Sequence, residues 1–310
     1  MTWYFYVLII VGVIIFLTLI ACYIIFKMTF YSKNRKLVNQ KNLLPNQIYN
    51  QYHDIIVKDI EDVRALPYQE LSVISFDGLI LKGKYYEQKK GNPIEIMFHG
   101  YKGNGERDLS TGIKRAFLCN HNALIVDQRA SGASEGHIIT FGINERHDCL
   151  TWVNHIIEVF GKDVEIIITG ISMGASTVLM ASALDLPKNV IGVIADCGFN
   201  KASDIIKEVI RGMKLPANLL YPLVRLSARI FGKFNLEETS PYEAVQKSKI
   251  PIIFFHGGKD NFVPCHMSEK LFDACSSPKK LVKIDDAAHG VSYLAAPEKY
   301  LKELESFFNK

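Results

Sequence analysis

Hydrophobic and polar positions divide the chain into three stretches of different rhythm. Residues 3–26 carry no charged side chain and are built mainly from Val, Leu, Ile, Phe and Tyr. Such a run is long enough to cross a hydrocarbon core of about 30 Å as one helix. Residues 29–68 are polar and irregular, with Asn, Gln and Lys throughout, and read as a tether carrying one helix near 46–56. From residue 71 the pattern changes to short apolar runs that read as strands, at 71–75, 79–86, 94–98, 123–127, 165–169, 190–195, 252–255 and 281–284. From residue 107 helical patterns separate most of them, notably 144–160, 172–184, 267–274 and 297–308. This alternation predicts an α/β fold with a mostly parallel eight-stranded sheet flanked by helices. The first two strands, joined across Phe76, Asp77 and Gly78, should form an antiparallel hairpin at its edge. Between 199 and 245 the alternation stops, and amphipathic segments at 202–213 and 217–231, punctuated by Pro216, Pro222 and Pro241, read as a helical cap over the strand ends. The expected division is a transmembrane anchor at 1–28, a juxtamembrane tether at 29–68, and an α/β domain at 69–310 with its cap at 199–245.

A cleaved signal peptide would show a basic leader and a shorter apolar stretch, and residues 1–6 contain no Lys or Arg. Leu19, Ile20, Ala21 and Cys22 resemble a lipoprotein cleavage box, but the chain stays apolar through Tyr23, Ile24, Ile25 and Phe26 where a mature lipoprotein turns polar. An uncleaved single-pass anchor in the cell membrane is the expectation. Lys27, Lys33, Arg35, Lys36 and Lys41 follow the span, which by the positive-inside rule puts the α/β domain on the cytoplasmic face. The same residues could touch anionic headgroups.

A net charge of +4 over 310 residues is small and partly explained by that cluster, so it gives no reason to invoke nucleic acid. Outside the span, five cysteines at irregular spacing, with no Cys-x-x-Cys pair, argue against both a disulfide framework and a zinc site. No metal or organic cofactor is called for, and no oligomeric state can be read.

The chemistry concentrates at Thr169-Gly170-Ile171-Ser172-Met173-Gly174-Ala175. A predicted strand runs into Gly-x-Ser-x-Gly and a predicted helix follows, which is the context of a nucleophile elbow: the serine takes strained backbone angles, and the flanking glycines let strand and helix approach. Serine alone is a poor nucleophile; it needs a base, and the base needs an acid, in the chain order Ser, acid, His. Asp260 follows the strand at 252–255 in a Gly-rich loop and is the leading acid; a turn aspartate capping the next helix is its bland reading, and Asp196 its rival. His289, in the loop after the last strand, is the base. His99 and His256 end predicted strands before a glycine and look structural, while His147 and His155 read as solvent-facing. Backbone amides should stabilise a developing oxyanion: Met173, directly after the serine, and Tyr101, in the loop His99-Gly100-Tyr101-Lys102-Gly103-Asn104-Gly105. That loop lacks the Gly-Lys-Ser/Thr ending of a nucleotide site.

With these pieces, and with Asp127-Gln128-Arg129-Ala130-Ser131-Gly132-Ala133-Ser134 matching an Asp-x-Arg-x-x-Gly-x-Ser segment, the chain from about residue 71 resembles the α/β-hydrolase superfamily. The likeness is closest to membrane-anchored bacterial serine hydrolases with a serine aminopeptidase-like, or monoglyceride lipase-like, domain. The resemblance implies the α/β-hydrolase fold and a serine hydrolase that cleaves a carboxylic ester or related acyl bond through an acyl-enzyme. It leaves open a peptidase using the same three side chains and a non-catalytic ligand binder. The Gly-Gly run of many lipases is missing from the 99–105 loop. Leu215, Leu219, Leu220, Tyr221, Leu223, Val224 and Phe231 of the cap would suit an acyl chain, or would simply pack the cap on the sheet. The expected substrate is a small acyl compound, and the membrane anchor points to a lipid-derived one.

Overall fold

The computed structural model describes residues 2–33 and 51–308. Eight strands form one sheet: β1 (Gln69–Ile74), β2 (Ile80–Tyr86), β3 (Ile94–Phe98), β4 (Asn122–Asp127), β5 (Ile166–Ile171), β6 (Val190–Asp196), β7 (Ile252–Gly257) and β8 (Lys279–Ile284). Their order is β1-β2-β4-β3-β5-β6-β7-β8. β1 pairs with β2, and β2 with β4, antiparallel; all later pairs are parallel. The edge strand β1 alternates buried and exposed positions, whereas β3 is buried throughout. That is what helices on both faces of a parallel sheet require. The β1–β2 hairpin turns at Gly78, φ 89°, and Ser75 Oγ closes it by accepting the Leu79 amide at 2.8 Å and donating to Asp77 at 2.6 Å.

The crossovers place α3 (Gly105–Leu118), α4 (Glu145–Phe160), α5 (Met173–Ala181) and α9 (His266–Ala274) against the sheet, and after β8 a short α10 (Ser292–Ala295) leads into the last helix, α11 (Pro297–Phe308), which packs there too. The cap holds α6 (Ala202–Gly212), α7 (Ala217–Ile230) and α8 (Pro241–Val245), within a residue or two of the helices expected at 202–213 and 217–231. Glu95, a carboxylate inside the central strand β3, is paired with Arg115 of α3 at 2.8 and 2.5 Å and with His121 at 2.7 Å. Burial raises its pKa, and these partners more than reverse that, holding it at about 2.

Parts of the first 68 residues lie against the rest of the chain. α1 (Thr2–Thr29) is a single helix, long and apolar enough to cross a membrane by length and composition. Its last turns do not hang free: Cys22, Phe26 and Phe30 are buried among cap residues, including Tyr221, Val224, Ala228 and Phe234. Tyr31 then bridges Ile138, and Ser32 donates to His137 O at 2.8 Å. Within the interval 29–68, residues 34–50 lie outside the described residues, and with them positions 46–50 of the helix expected at 46–56. α2 (His53–Arg64) instead packs on α3, burying Ile60 and Val63. Its Asp59 accepts from Thr111 Oγ1 at 2.7 Å and Lys114 Nζ at 2.6 Å. The described parts of this interval are therefore folded onto the body of the protein, held by a few apolar side chains within a mostly polar segment.

Candidate active site

Ser172 stands between β5 and α5 with φ 56° and ψ −118°. This left-handed region costs a non-glycine residue about 1–3 kcal/mol and persists where the surroundings enforce it. Here they do. A Cβ on Gly174 would come within 2.0 Å of Phe98 O, and one on Gly170 within 2.2 Å of the Gly174 carbonyl carbon. Strand, turn and helix are thus pressed together until only glycine fits on either side of the serine.

Asp260 sits in the turn after β7. Its Oδ1 accepts the amides of Phe262 and Val263 at 2.9 and 2.8 Å, while Oδ2 faces His289 Nδ1 at 2.7 Å. Oδ1 thus holds the turn itself and does not cap the next helix, whose N-cap is Cys265, while Oδ2 reaches the imidazole. His289 comes from the loop after β8, which the β7 loop grips through Gly258 N to Ile284 O and Lys259 N to Ala287 O, at 2.8 and 2.9 Å. His289 Nε2 lies 2.9 Å from Ser172 Oγ. An ionised carboxylate only accepts, so Nδ1 carries the ring proton, and Nε2 is left to accept from the serine hydroxyl. Burial pushes the Asp260 carboxyl up, but hydrogen bonds and charge from His256 and His289 outweigh it and hold the pKa at about 2.

The rival acid is occupied elsewhere. Asp196 Oδ1 accepts from Ser292 Oγ at 2.8 Å, and burial raises the pKa of its carboxyl. Two side chains beside the acid escaped sequence reasoning. His256, read as structural, bonds Ser268 Oγ at 2.6 Å and Val263 O at 2.8 Å, yet its Nε2 also lies 3.3 Å from Asp260 Oδ2. It approaches the same carboxylate oxygen that faces His289. Cys197, after β6, puts a buried thiol beside Asp260 and His289, and burial keeps that thiol protonated by pushing its pKa well up. Only the histidine's place just before the Asp260 loop could have signalled such contact. His99 is structural: its Nε2 accepts the Gln128 amide at 3.0 Å and its Nδ1 bonds Gly100 O at 2.8 Å.

Met173 is the first residue of α5, so its amide has no acceptor within the helix. The other expected donor, Tyr101, lies in a turn closed by Gly103 N to Gly100 O at 3.1 Å and anchored by Gly100 N to Asp108 Oδ2 at 3.1 Å. Gly100 is close enough to Ser172 that a Cβ on it would be 3.6 Å from the serine Cβ. The Tyr101 amide has no protein acceptor among the described residues. Its phenol donates to Thr29 O at 2.6 Å, and Lys102 Nζ donates to Met28 O at 2.7 Å. The loop beside Ser172 is therefore fastened to the last turn of α1.

A cavity of about 530 Å³ opens on Ser172 and His289. It runs between α3 and α10–α11 toward Ile56 and Tyr300, with Leu109, Phe262 and Leu294 among its walls. No residue of 199–245 lines it. Of the cap side chains considered for an acyl chain, Tyr221 and Val224 are buried, Leu220 and Phe231 pack against the cluster that holds α1, and Leu215 and Leu219 face outward. Packing accounts for the buried ones.

Sheet order, elbow and strand-end loops together define the α/β-hydrolase fold, and the comparisons agree. An esterase of Pyrococcus furiosus, Pf2001, superposes with a TM-score of 0.68 at 20% identity, covering 91% of this chain and 98% of that one. An acylaminoacyl peptidase of Pyrococcus horikoshii superposes at 0.56 with 16% identity, covering 80% of this chain and 42% of that one. In sequence the chain is similar to the uncharacterized protein YqkD of Bacillus subtilis, at 27% identity over 193 residues, 61% of this chain. The chain spans 62% of YqkD's length. No protein-family model matches the chain.

Proposed function

We propose that the protein is a membrane-anchored serine hydrolase that cleaves a carboxylic ester or related acyl bond, with Ser172, His289 and Asp260 as its catalytic triad. The observation that carries this reading is the continuous relay from Asp260 Oδ2 through His289 to Ser172 Oγ, at 2.7 and 2.9 Å, on a strained elbow at the head of α5. Ser172 Oγ attacks the substrate carbonyl carbon as its proton passes to His289 Nε2, and the ionised Asp260 steadies the imidazolium. The amides of Met173 and Tyr101 receive the negative charge on the former carbonyl oxygen. When the tetrahedral adduct collapses, the leaving alcohol takes the proton from His289, and the acyl group stays on Ser172. Water then attacks the acyl-enzyme with His289 as base, releasing the acid and restoring the serine. Every step uses side chains, backbone amides and water.

In this reading α1 spans the cell membrane, with Lys27 and Lys33 on the cytoplasmic side. The acyl group occupies the cavity between α3 and α10–α11, whose mostly apolar walls suit an acyl chain, and the membrane anchor tilts the substrate toward a lipid-derived one. The esterase likeness favours ester over amide bonds. A panel of acyl esters of increasing chain length, run beside aminoacyl and peptide amides on the full-length protein, tests this. Ester turnover that rises with chain length before falling is expected. Turnover confined to the amides would assign a peptidase instead.

A further inference from the structure

α1 leaves the body of the protein alongside α7. Cys22, 0% exposed, is the first of its side chains to be fully covered, with Sγ 3.8 Å from Leu223 O. Next to it Tyr23 and Phe26 meet Phe231, at ring separations of 5.4 and 6.0 Å. The preceding segment, 2–21, projects from the molecule, and at about 1.5 Å per residue it measures about 30 Å, the hydrocarbon thickness it has to cross. There is no length to spare. If α1 spans the bilayer, Cys22 falls at the membrane boundary, and so does the helix packed against it.

The outward face of α7 suits that position. Leu219, Leu226 and Ile230 recur at helical spacing, and Leu219 is 71% exposed. Met213 and Leu215, both exposed, extend the patch from the turn before the helix. Arg225 and Arg229 run along one flank, with Lys214 and Lys233 exposed at the two ends; Arg225 also pairs with Glu237 at 2.9 Å. An apolar stripe edged by cations matches acyl chains below and anionic headgroups beside them.

We infer that α7 sits at the bilayer surface with Leu219, Leu226 and Ile230 immersed among the acyl chains, so that the membrane holds the protein by a crossing helix and by the cap together. This rests on the reading of α1 as a membrane span. Its consequence is that the cap is seated on the bilayer by the same helix whose last turn holds the Tyr101 loop.

The test places the full-length protein in vesicles of phosphatidylcholine and phosphatidylglycerol containing lipids brominated at known depths. Leu219→Trp and, separately, Leu226→Trp are made in a Trp3→Phe background, where the remaining Trp152 is 1% exposed and serves as baseline. Leu118→Trp, 65% exposed at the end of α3 remote from Ser172, is the control. Bromines just below the headgroups should quench the new indole of either α7 variant at least about twofold more than that of the control, as for a helix face buried 5–10 Å deep. Quenching equal to the control in both variants overturns the inference. So does an unquenched indole whose emission shifts to the blue as protein concentration rises, which would mean that a second copy of the chain covers this face. Native Trp3 in the parent protein separates the two readings: if Trp3 is quenched and the α7 indoles are not, the anchor stands and the seated cap fails. If Trp3 also escapes, the anchor reading fails with it.

Discussion

Ser172 separates two sides of one sheet end that were built in opposite ways. On the cap side, α6, α7 and the last turns of α1 close over the strand ends with Phe26, Phe30, Phe141, Phe199 and Phe234 packed together. On the other side, between α3 and α10–α11, about 530 Å³ stays open. Both sides are apolar, so hydrophobicity alone does not tell a binding surface from a core; what differs is whether a neighbouring element fills the space. The cap is filled because α1 supplies the missing layer. In the proposed reading the open side takes the acyl group, and the closed one contributes stability.

The largest effect should come from the base beside Ser172. His289→Ala removes the base and should lower kcat by about 10⁵-fold for short and long acyl esters alike; a loss confined to long esters would tie His289 to the cavity and not to the chemistry. Asp260→Asn should cost about 10⁴-fold in kcat, as expected when the imidazole loses its orienting carboxylate. The same substitution carries a pH signature. The Asp260 pKa is lowered from its ordinary value to about 2. The ionised carboxylate therefore contributes stability that is complete above about pH 4 and is lost as pH falls toward about 2. The gap in unfolding free energy between wild type and Asp260→Asn, measured by denaturant titration, should narrow across that window and stay constant above it.

Smaller effects sharpen the contrast itself. Leu294→Trp narrows the open side and should cut kcat/KM for long-chain esters by about tenfold while leaving the shortest esters near wild type. An equal loss for every length would remove the acyl group from that cavity. Tyr101→Phe cuts the bond to Thr29 O and should lower kcat a few-fold, about the worth of one hydrogen bond, with KM little changed. Val224→Ala, on the closed side, should destabilise by about 1–2 kcal/mol in thermal or denaturant unfolding and leave the chain-length profile where it was.

Much of this was legible in the chain because it is written locally. Strand lengths, the parallel sheet, the cap helices and the Gly-x-Ser-x-Gly turn each depend on residues close together in sequence, and the loops carrying Asp260 and His289 could be placed at successive strand ends by chain order. That these loops meet over Ser172 follows from β5, β6, β7 and β8 lying side by side.

What was hidden depends on long-range packing. An apolar helix such as α1 has the same composition whether a given turn faces lipid or protein, so the burial of Cys22, Phe26 and Phe30 left no trace in the periodicity. α2 reads as polar tether because only Asp59, Ile60 and Val63 are buried, and its register is held by Thr111 and Lys114 from a distant segment. The cavity is a gap between elements, and no residue pattern spells out a gap.

In the proposed reading Ser172 is a nucleophile activated by His289. Incubating the folded full-length protein with a fluorophosphonate probe, and locating the adduct by mass spectrometry, tests it directly. One stoichiometric label on Ser172 is expected, absent in Ser172→Ala and strongly slowed in His289→Ala. Folded wild-type protein that stays unlabelled, or a label that persists in Ser172→Ala, would contradict it.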